Sequence, residues 1–177
     1  MVTGCIVRSA AFAAVLLTCA PAYAADTADA PAAITIVAFG TISLPVRGTL
    51  PAPDMASGYS VVHDLDDLRP MSGSSRVGAC LNVQFGIQYR LTSSPPSEVP
   101  IEIEWSHPPM PHHRGGTVTT QRVAAVASPQ TRYAGWMFNE RYELLPGRWT
   151  MTLRQGPAVV AQQAFDVVDS DCGRPIS

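Results

Sequence analysis

The chain has 177 residues, of which 12 are basic and 14 acidic, and its formal net charge is −2 at neutral pH. Every basic residue is an arginine, and the arginines are scattered rather than clustered into the positive patch of a nucleic-acid-binding protein. Length and charge therefore indicate one domain after any leader, and they exclude a partner recognised through a nucleic-acid backbone.

The first 24 residues have the pattern of a secretory signal. Arg8 supplies a positive charge, Ala10–Leu17 is an unbroken apolar run, and Ala22-Tyr23-Ala24 is the small-x-small pattern of a signal peptidase site. The run is much shorter than the ~20 residues that span a bilayer. We therefore expect residues 1–24 to be removed, which gives a periplasmic or secreted chain that starts near Ala25.

A lipoprotein signal is the alternative interpretation of this segment. Leu16-Leu17-Thr18-Cys19 resembles a lipidation box in which Cys19 would carry the lipid. Such boxes have glycine, alanine or serine just before the cysteine, and Thr18 departs from that rule. We therefore favour cleavage after Ala24 over a lipid anchor.

After a small, polar leader at residues 25–33, which we expect to be flexible, the apolar residues follow a period of two. The first strand is predicted from Ile34 to Gly40, with Thr41–Val46 as a candidate extension, and the second at Tyr59–Leu65. Loops are predicted at Thr49–Gly58 and Pro70–Gly78, which are rich in proline, glycine and serine. The clearest strand is Leu81–Leu91, where apolar residues alternate with polar residues or glycine along the whole stretch.

Further strands are predicted at Val99–Trp105, Thr117–Ala127, Trp136–Leu144, Trp149–Leu153 and Val159–Val168, with proline and glycine turns between them. The prolines of His107–Gly116 predict an irregular extended loop there.

About eight short strands without a helix predict an all-β fold. We expect residues 34–177 to form one antiparallel immunoglobulin-like β-sandwich, with a closed barrel as the alternative. Trp105, Trp136 and Trp149 each fall on the apolar face of a predicted strand, which predicts core positions. The alternative for the aromatic residues is a groove for a ligand or glycan, lined by Tyr59, Tyr133 and Trp136.

Two cysteines, Cys80 and Cys172, remain after removal of the signal. An oxidising compartment favours a disulfide between them over two free thiols. The bond would fasten the C-terminal tail to the core.

The segment His107–His113 concentrates three imidazoles and a thioether, on His107, Met110, His112 and His113. Imidazole and thioether ligands suit copper, so these residues predict a candidate copper site. The alternative is an exposed loop whose prolines keep the ligands apart.

Other polar clusters give weaker indications of chemistry. Glu102 and Glu104 share one strand face, as the paired carboxylates of a glycosidase would, but such pairs more often form the wet side of an edge strand. Residues 63–67, with the sequence HDLDD, lack the spacing of an EF-hand calcium loop. The nucleophile elbow, the phosphate-binding glycine loop and the HExxH motif are all absent from the sequence.

Several segments in order resemble a bacterial family known as domain of unknown function 3859. The most specific piece is the corner Glu143–Thr150 (ELLPGRWT), followed by Phe165-x-Val167; the others are Ile34–Gly40, Phe85-Gly86-Ile87 and Trp105–Pro108. The resemblance implies a sandwich in a secreted or envelope context. It implies no activity.

These features together predict a non-enzymatic secreted or periplasmic module without a cofactor. Its expected role is to bind another cell-envelope protein or to serve a structural purpose. The alternative function is that of a periplasmic copper-binding protein that uses the segment His107–His113.

Overall fold

A computed structural model describes residues 31–64, 68–92 and 98–172 of the chain. Within these ranges the chain forms ten strands and one short 3₁₀ helix at Arg141–Glu143. The strands are β1 (Ile34–Ile42), β2 (Val46–Pro51), β3 (Tyr59–His63), β4 (Arg76–Gly78), β5 (Gln84–Leu91), β6 (Val99–Pro111), β7 (Thr117–Ala127), β8 (Arg132–Met137), β9 (Gly147–Gln155) and β10 (Ala158–Val168).

The strands form two facing sheets and a separate hairpin. One sheet has the order β1-β5-β8, the other has the order β4-β10-β9-β6-β7, and β2 pairs with β3. All these pairs are antiparallel except β4 with β10, which is parallel. The predicted two-layer sandwich is confirmed, and in the described residues the two sheets stay separate instead of closing into a barrel.

The predicted count of about eight strands was too low, because β2 and β4 lie mostly or wholly in segments predicted as loops. Every residue of β2 is exposed, so the strand has no buried face that would produce an alternating pattern. β4 has only three residues and pairs at the edge of the larger sheet. Neither strand therefore leaves a period-two signal in the sequence.

Aromatic side chains fill the space between the sheets. The ring of Phe85 lies within 6 Å of four other buried rings, at centroid distances of 5.2–5.9 Å. Trp105, Trp136 and Trp149 are all buried and contact one another, which confirms the core positions predicted for them. Edge-to-face contacts of this kind add to the free energy gained from burial.

Strand β6 continues through the first half of the segment His107–Gly116, which was predicted to be an irregular loop. Pairing with β7 shifts register between Ser106 and Met110 and then resumes at Met110 and Pro111. On the other side of β6, pairing with β9 ends at Ser106. The prolines therefore lie beyond the part of β6 that is paired on both sides, so they remove few ladder hydrogen bonds. The prediction of a loop over residues 107–111 was wrong for this reason.

The strand predicted at Trp136–Leu144 was wrong beyond its first two residues, because β8 spans Arg132–Met137. β8 ends at Met137, and the chain turns into the 3₁₀ helix. The carboxylate of Glu143 accepts hydrogen bonds from the backbone N–H groups of Asn139 and Glu140, at 2.7 and 3.0 Å. These bonds satisfy donors that a continuing strand would have paired, and so they fix the turn.

The hairpin of β2 and β3 lies at the side of the sandwich where β7 and β8 form sheet edges. At its base, Leu44 and Gln84 exchange two hydrogen bonds of 2.9 Å. At its tip, the backbone N–H of Ala56 donates to Oε1 of Gln121 on β7. The hairpin is therefore anchored at both ends.

The Cys80–Cys172 disulfide that the sequence predicts is present in the structure. The two Cα atoms are 5.5 Å apart, and the bond links positions 92 residues apart in the chain. It fastens the segment after β10 to the segment after β4, next to the hydrogen bond from Ala79 N–H to Val168 O. No helix in the described part of the chain is long and apolar enough to cross a membrane.

Candidate functional site

A free strand edge and a groove are the two candidate binding features, and both belong to the hairpin. β2 pairs with β3 alone within the described residues, so its other edge carries no strand. Val46 and Leu50 of β2 are 50 % and 60 % exposed, which is unusual for large apolar side chains. Strand β2 therefore presents both backbone groups and apolar side chains to solvent.

The hydrogen-bond pattern identifies the backbone groups that are free on β2. The N–H of Ala52 donates to the carbonyl of Gly58 at 2.9 Å, which makes these two residues a hydrogen-bonded pair. Such pairs alternate along an antiparallel ladder, so Leu50 bonds to β3 while Thr49 and Pro51 direct their backbone groups outward. Thr49 therefore offers a free donor and acceptor, and Pro51 offers an acceptor only.

A groove runs between β3 and β8, which are not hydrogen-bonded to each other. It consists of two adjoining clefts of about 50 and 270 Å³, and both are lined by Ser60, Val61, His63 and Gly135. We call this feature the β3–β8 groove. The smaller cleft is its polar end, and the larger cleft, which reaches the edge of β7, is its apolar end.

Two residues that line the polar end, His63 and Trp136, each have a buried nitrogen atom without a hydrogen-bond partner, Nδ1 and Nε1 respectively. The comparison with Trp149 is informative, because Nε1 of that residue donates to the carbonyl of Leu145 at 3.0 Å. A buried indole N–H without an acceptor costs about 1–3 kcal/mol. Burial also lowers the pKa of His63, which keeps the imidazole neutral at neutral pH.

Glu143 is the acidic residue that lines the polar end. The residue is buried, and burial raises the pKa of its carboxyl group although the backbone hydrogen bonds from Glu140 and Asn139 oppose that change. Tyr59 lines the same cleft, and burial together with the charge of Glu140 raises the pKa of its hydroxyl. A tyrosine, a histidine and a carboxyl group thus line the polar end together.

Tyr133 and Gly135 shape the apolar end of the groove. The ring of Tyr133 makes an edge-to-face contact with His63, at a centroid distance of 5.8 Å, and its hydroxyl lies 3.4 Å from the carbonyl of Phe85. A Cβ atom at Gly135 would overlap the Tyr133 side chain. Glycine is therefore required here so that the tyrosine can lie flat across β8.

The structure divides the four predicted copper ligands into two environments. His107 and Met110 are buried and share one partner, because the side-chain nitrogen of Gln121 lies 2.6 Å from His107 Nε2 and 3.5 Å from the Met110 sulfur. The other ring nitrogen of His107 is 2.8 Å from the carbonyl of Pro108. Burial lowers the pKa of His107, although that hydrogen bond opposes the change.

His112 and His113 lie in the turn between β6 and β7, outside the core. Their ring centroids are 4.4 Å apart; His112 Nδ1 accepts from the N–H of Arg114, and His113 Nδ1 is 3.2 Å from the carbonyl of Met55. Within residues 31–64, 68–92 and 98–172, no three His, Cys, Asp or Glu side chains are grouped to hold a metal ion. The four candidate ligands therefore do not form one site in this conformation.

The carboxylates singled out in the sequence are ion-paired. Glu104 contacts Arg122 at 2.6 Å and Arg154 at 3.3 Å, and Glu102 contacts Arg122 at 3.5 Å. Burial opposes ionisation of Glu104, but hydrogen bonds from both arginines hold the pKa of its carboxyl below the usual range. A general acid requires the opposite change in pKa.

The acidic cluster at residues 63–67 is only partly within the described residues. Asp64 forms an ion pair with Arg47 at 2.5 Å, and residues 65–67 lie outside the described ranges.

Sequence reasoning identified part of the groove and missed the rest. It placed Tyr59, Tyr133 and Trp136 in a candidate ligand groove, and the structure brings Tyr59 and Trp136 to the polar end and Tyr133 to the apolar end. It did not single out Gly135 or Glu143. A glycine within a strand is a signal of close approach by another group and could have been used.

Comparisons with known proteins agree with this architecture. The model of a family described as domain of unknown function DUF3859 matches residues 57–167. The chain is also similar to a crystal structure of an immunoglobulin-like protein from Pseudomonas aeruginosa, with 19 % sequence identity and a TM-score of 0.56. That match covers 78 % of this chain and 99 % of the other chain. A search of curated proteins gave no match. The likeness confirms the predicted immunoglobulin-like fold.

Proposed function

This chain belongs to the DUF3859 family, which has no assigned activity, and we propose from its structure that it is a non-enzymatic binding module of the cell envelope. In this proposal the mature chain works outside the cytoplasm. Another envelope protein adds an extended segment to the free edge of β2.

The observation that carries the proposal is the exposure of β2 along its whole length. All six residues of the strand are exposed, and the free edge includes the outward backbone groups of Thr49. Main-chain hydrogen bonds to such an edge give affinity, and contacts with alternate side chains give specificity. The exposed side chain of Leu50 supplies an apolar contact.

The features that protect the free edge of β2 also limit the length of the partner segment that can pair with it. Proteins protect free edges with prolines, charges and bulges, and β2 has Pro51 at one end and Arg47 beside a register shift at the other. Between these limits only residues 48–50 remain regular. We therefore expect a short partner segment, which favours a reversible complex over an obligate one.

The export signal and the disulfide support the proposed compartment. Disulfides persist in the periplasm and outside the cell and are rare in the cytosol. The Cys80–Cys172 bond closes a long loop, so its presence would matter most in a compartment that keeps it oxidised.

A non-enzymatic role is supported by the state of the titratable groups. The arginine network that keeps Glu104 ionised is the arrangement of a structural ion pair, not of a general acid. His107 is buried and has both ring nitrogens within hydrogen-bond distance of neighbouring groups, which leaves neither of them for proton transfer to a substrate.

The test uses a single backbone donor. Thr49→Pro removes the outward N–H of β2 without removing a hydrogen bond to β3, and Thr49→Val is the matched control that keeps this N–H. The whole chain and both variants are used as bait for envelope extracts. We expect a specific partner that wild type and T49V retain and T49P loses. Equal retention by T49P, with unchanged thermal stability, would contradict strand addition at β2.

A further inference from the structure

We propose that protonation of His107 releases the tip of the β2–β3 hairpin, residues 52–58, while the sandwich itself stays folded. The link is the side-chain amide of Gln121, whose nitrogen contacts His107 and whose oxygen contacts Ala56. This inference goes beyond strand addition at β2, because it concerns how the hairpin is held and does not depend on what binds the free edge.

The amide of Gln121 has only one orientation that satisfies both neighbours. The backbone N–H of Ala56 can only donate, so it requires the amide oxygen, and the amide nitrogen then lies 2.6 Å from Nε2 of His107. The same nitrogen lies 3.5 Å from the sulfur of Met110, a weak acceptor. Nε2 of His107 must therefore carry a lone pair, and its proton is on Nδ1, 2.8 Å from the carbonyl oxygen of Pro108.

A proton taken up by Nε2 from solvent disrupts this arrangement. The imidazolium donates at both ring nitrogens, so its N–H faces the N–H of the Gln121 amide. If the amide turns over, its oxygen accepts from His107, but its nitrogen then faces the N–H of Ala56. Gln121 and Ala56 are only 2 % and 1 % exposed, so water has no room to supply the missing acceptor. Outward movement of Ala56 relieves the conflict and leaves the turned amide bonded to His107.

The hairpin tip is the part of this arrangement that can move. Its other contact at Ala56 comes from the exposed turn between β6 and β7, where the backbone N–H of His113 donates to the Ala56 carbonyl at 2.8 Å. The ring of His107, in contrast, packs against Trp136 and Trp149 in the core, at centroid distances of 5.8 and 5.0 Å. The hydrogen bonds at the base of the hairpin involve no titratable side chain. Protonation therefore detaches the tip and leaves the base in place.

Uncharged side chains surround His107, so its burial controls its protonation. The ring contacts Gln121 on β7, Trp136 on β8 and Trp149 on β9, and none of these three side chains carries a charge. Burial lowers the pKa of His107, although the hydrogen bond to Pro108 opposes that change. Protonation is therefore expected below the ordinary pKa of about 6.5.

Charged side chains on the neighbouring elements have other partners. Glu104 of β6 is ion-paired with Arg122 on β7 and Arg154 on β9. Glu143 of the 3₁₀ helix accepts hydrogen bonds from backbone N–H groups. His63 of β3 is the second titratable group to consider, because it lies in the hairpin itself and burial lowers its pKa as well. The experiment therefore has to separate His63 from His107.

Hydrogen exchange of single backbone amides, followed by NMR on the whole chain with its disulfide intact, measures the release. Protection factors remove the intrinsic pH dependence of the exchange reaction. We expect the protection factor of the Ala56 N–H to fall about 10-fold between about pH 7 and pH 5, which corresponds to one buried hydrogen bond. At the lower pH, Phe85 and Ile87 in β5 should remain at least about 100-fold better protected than Ala56, because the sandwich stays folded.

Three variants identify the group that controls the release. His107→Gln carries no titratable group and still offers an oxygen to Gln121, so Ala56 should stay protected at about pH 5. His63→Gln is the matched control in the hairpin, and it should show the same fall as wild type. Gln121→Met removes the amide, so Ala56 should have low protection that does not change with pH.

The nitrogen-15 chemical shifts of the His107 ring give a readout that needs no variant. We expect Nε2 to be unprotonated at about pH 7 and protonated at about pH 5. A proton on Nε2 at the higher pH would overturn the proposal, and so would equal protection of Ala56 and the β5 amides at the lower pH. The same fall in H107Q as in wild type would also overturn it. Loss of the fall in H63Q would assign the release to His63 instead of His107.

Discussion

The Nε2 atom of His107 lies 2.6 Å from the side-chain nitrogen of Gln121, in the interior of the sandwich. Because an amide nitrogen can only donate, His107 must accept at Nε2, and its proton is on Nδ1, which faces the carbonyl of Pro108. The same Gln121 accepts the backbone N–H of Ala56 at the tip of the hairpin. One neutral imidazole therefore orients the glutamine that anchors the hairpin.

This relationship predicts a pH-dependent loss of stability. The pKa of His107 is lowered in the folded chain, so its contribution to stability is complete above the unfolded value of about 6.5 and is lost as the pH falls below it. Protonation would also place a second donor against Gln121. We expect the free energy of unfolding, measured by urea denaturation, to fall between about pH 7 and pH 5.

His107→Gln is the control for this prediction, because its side-chain oxygen can accept from Gln121 without a titratable group. His63 contributes in the same direction as His107 and Glu143 in the opposite one, and both remain in the variant. The difference between wild type and H107Q at each pH therefore isolates His107. An identical pH dependence in H107Q would contradict the prediction.

Removing each of two carboxylates on β6 in turn should show that the buried ion pair contributes more to stability than the exposed one. Glu104→Gln leaves Arg122 and Arg154 without their shared anion, and we expect a loss of about 1–3 kcal/mol in the free energy of unfolding. Glu102→Gln is the matched control on the same strand face. Its side chain is 43 % exposed and 3.5 Å from Arg122, so the expected loss is about 0–1 kcal/mol. Equal losses in E102Q and E104Q would show that burial does not distinguish the two.

Reduction of the disulfide should destabilise the domain strongly. The bond joins positions 92 residues apart, and the chain-entropy model assigns about 4–5 kcal/mol to a loop of that length. The double variant Cys80→Ser, Cys172→Ser should therefore unfold at a markedly lower temperature than the oxidised wild type. Calorimetry with and without reductant provides the measurement, and reductant should have no effect on the double variant. An unchanged melting temperature in the variant would contradict this estimate.

The secretory signal predicted for residues 1–24 has a direct test. After expression with an intact export system, mass spectrometry of the purified protein should show an N-terminus at Ala25. A lipid-modified N-terminus at Cys19 would support the lipoprotein alternative instead. Retention of residues 1–24 in a soluble cytosolic form would contradict export altogether.

The accuracy of the sequence predictions followed the burial pattern of each segment. The strand predicted at residues 81–91 corresponds to β5, where the alternate residues Phe85, Ile87 and Tyr89 are all buried. The strand predicted at Trp149–Leu153 was also correct, since it lies within β9. In contrast, β2 was predicted as a loop, because a strand exposed on both faces leaves no periodic apolar signal.

The amino-acid sequence by itself determined the all-β class, the two-layer sandwich, the pairing of the two cysteines and the core role of the tryptophans. These properties depend on local periodicity and on residue type, which the sequence records directly. Only the tertiary structure decided that His107 turns inward to Gln121 while His112 and His113 stay outside. It also decided that His63, Trp136 and Glu143 share one groove. The physical reason is that strand register and hairpin docking bring together residues distant in the chain, and neither is encoded in the pattern of any single segment.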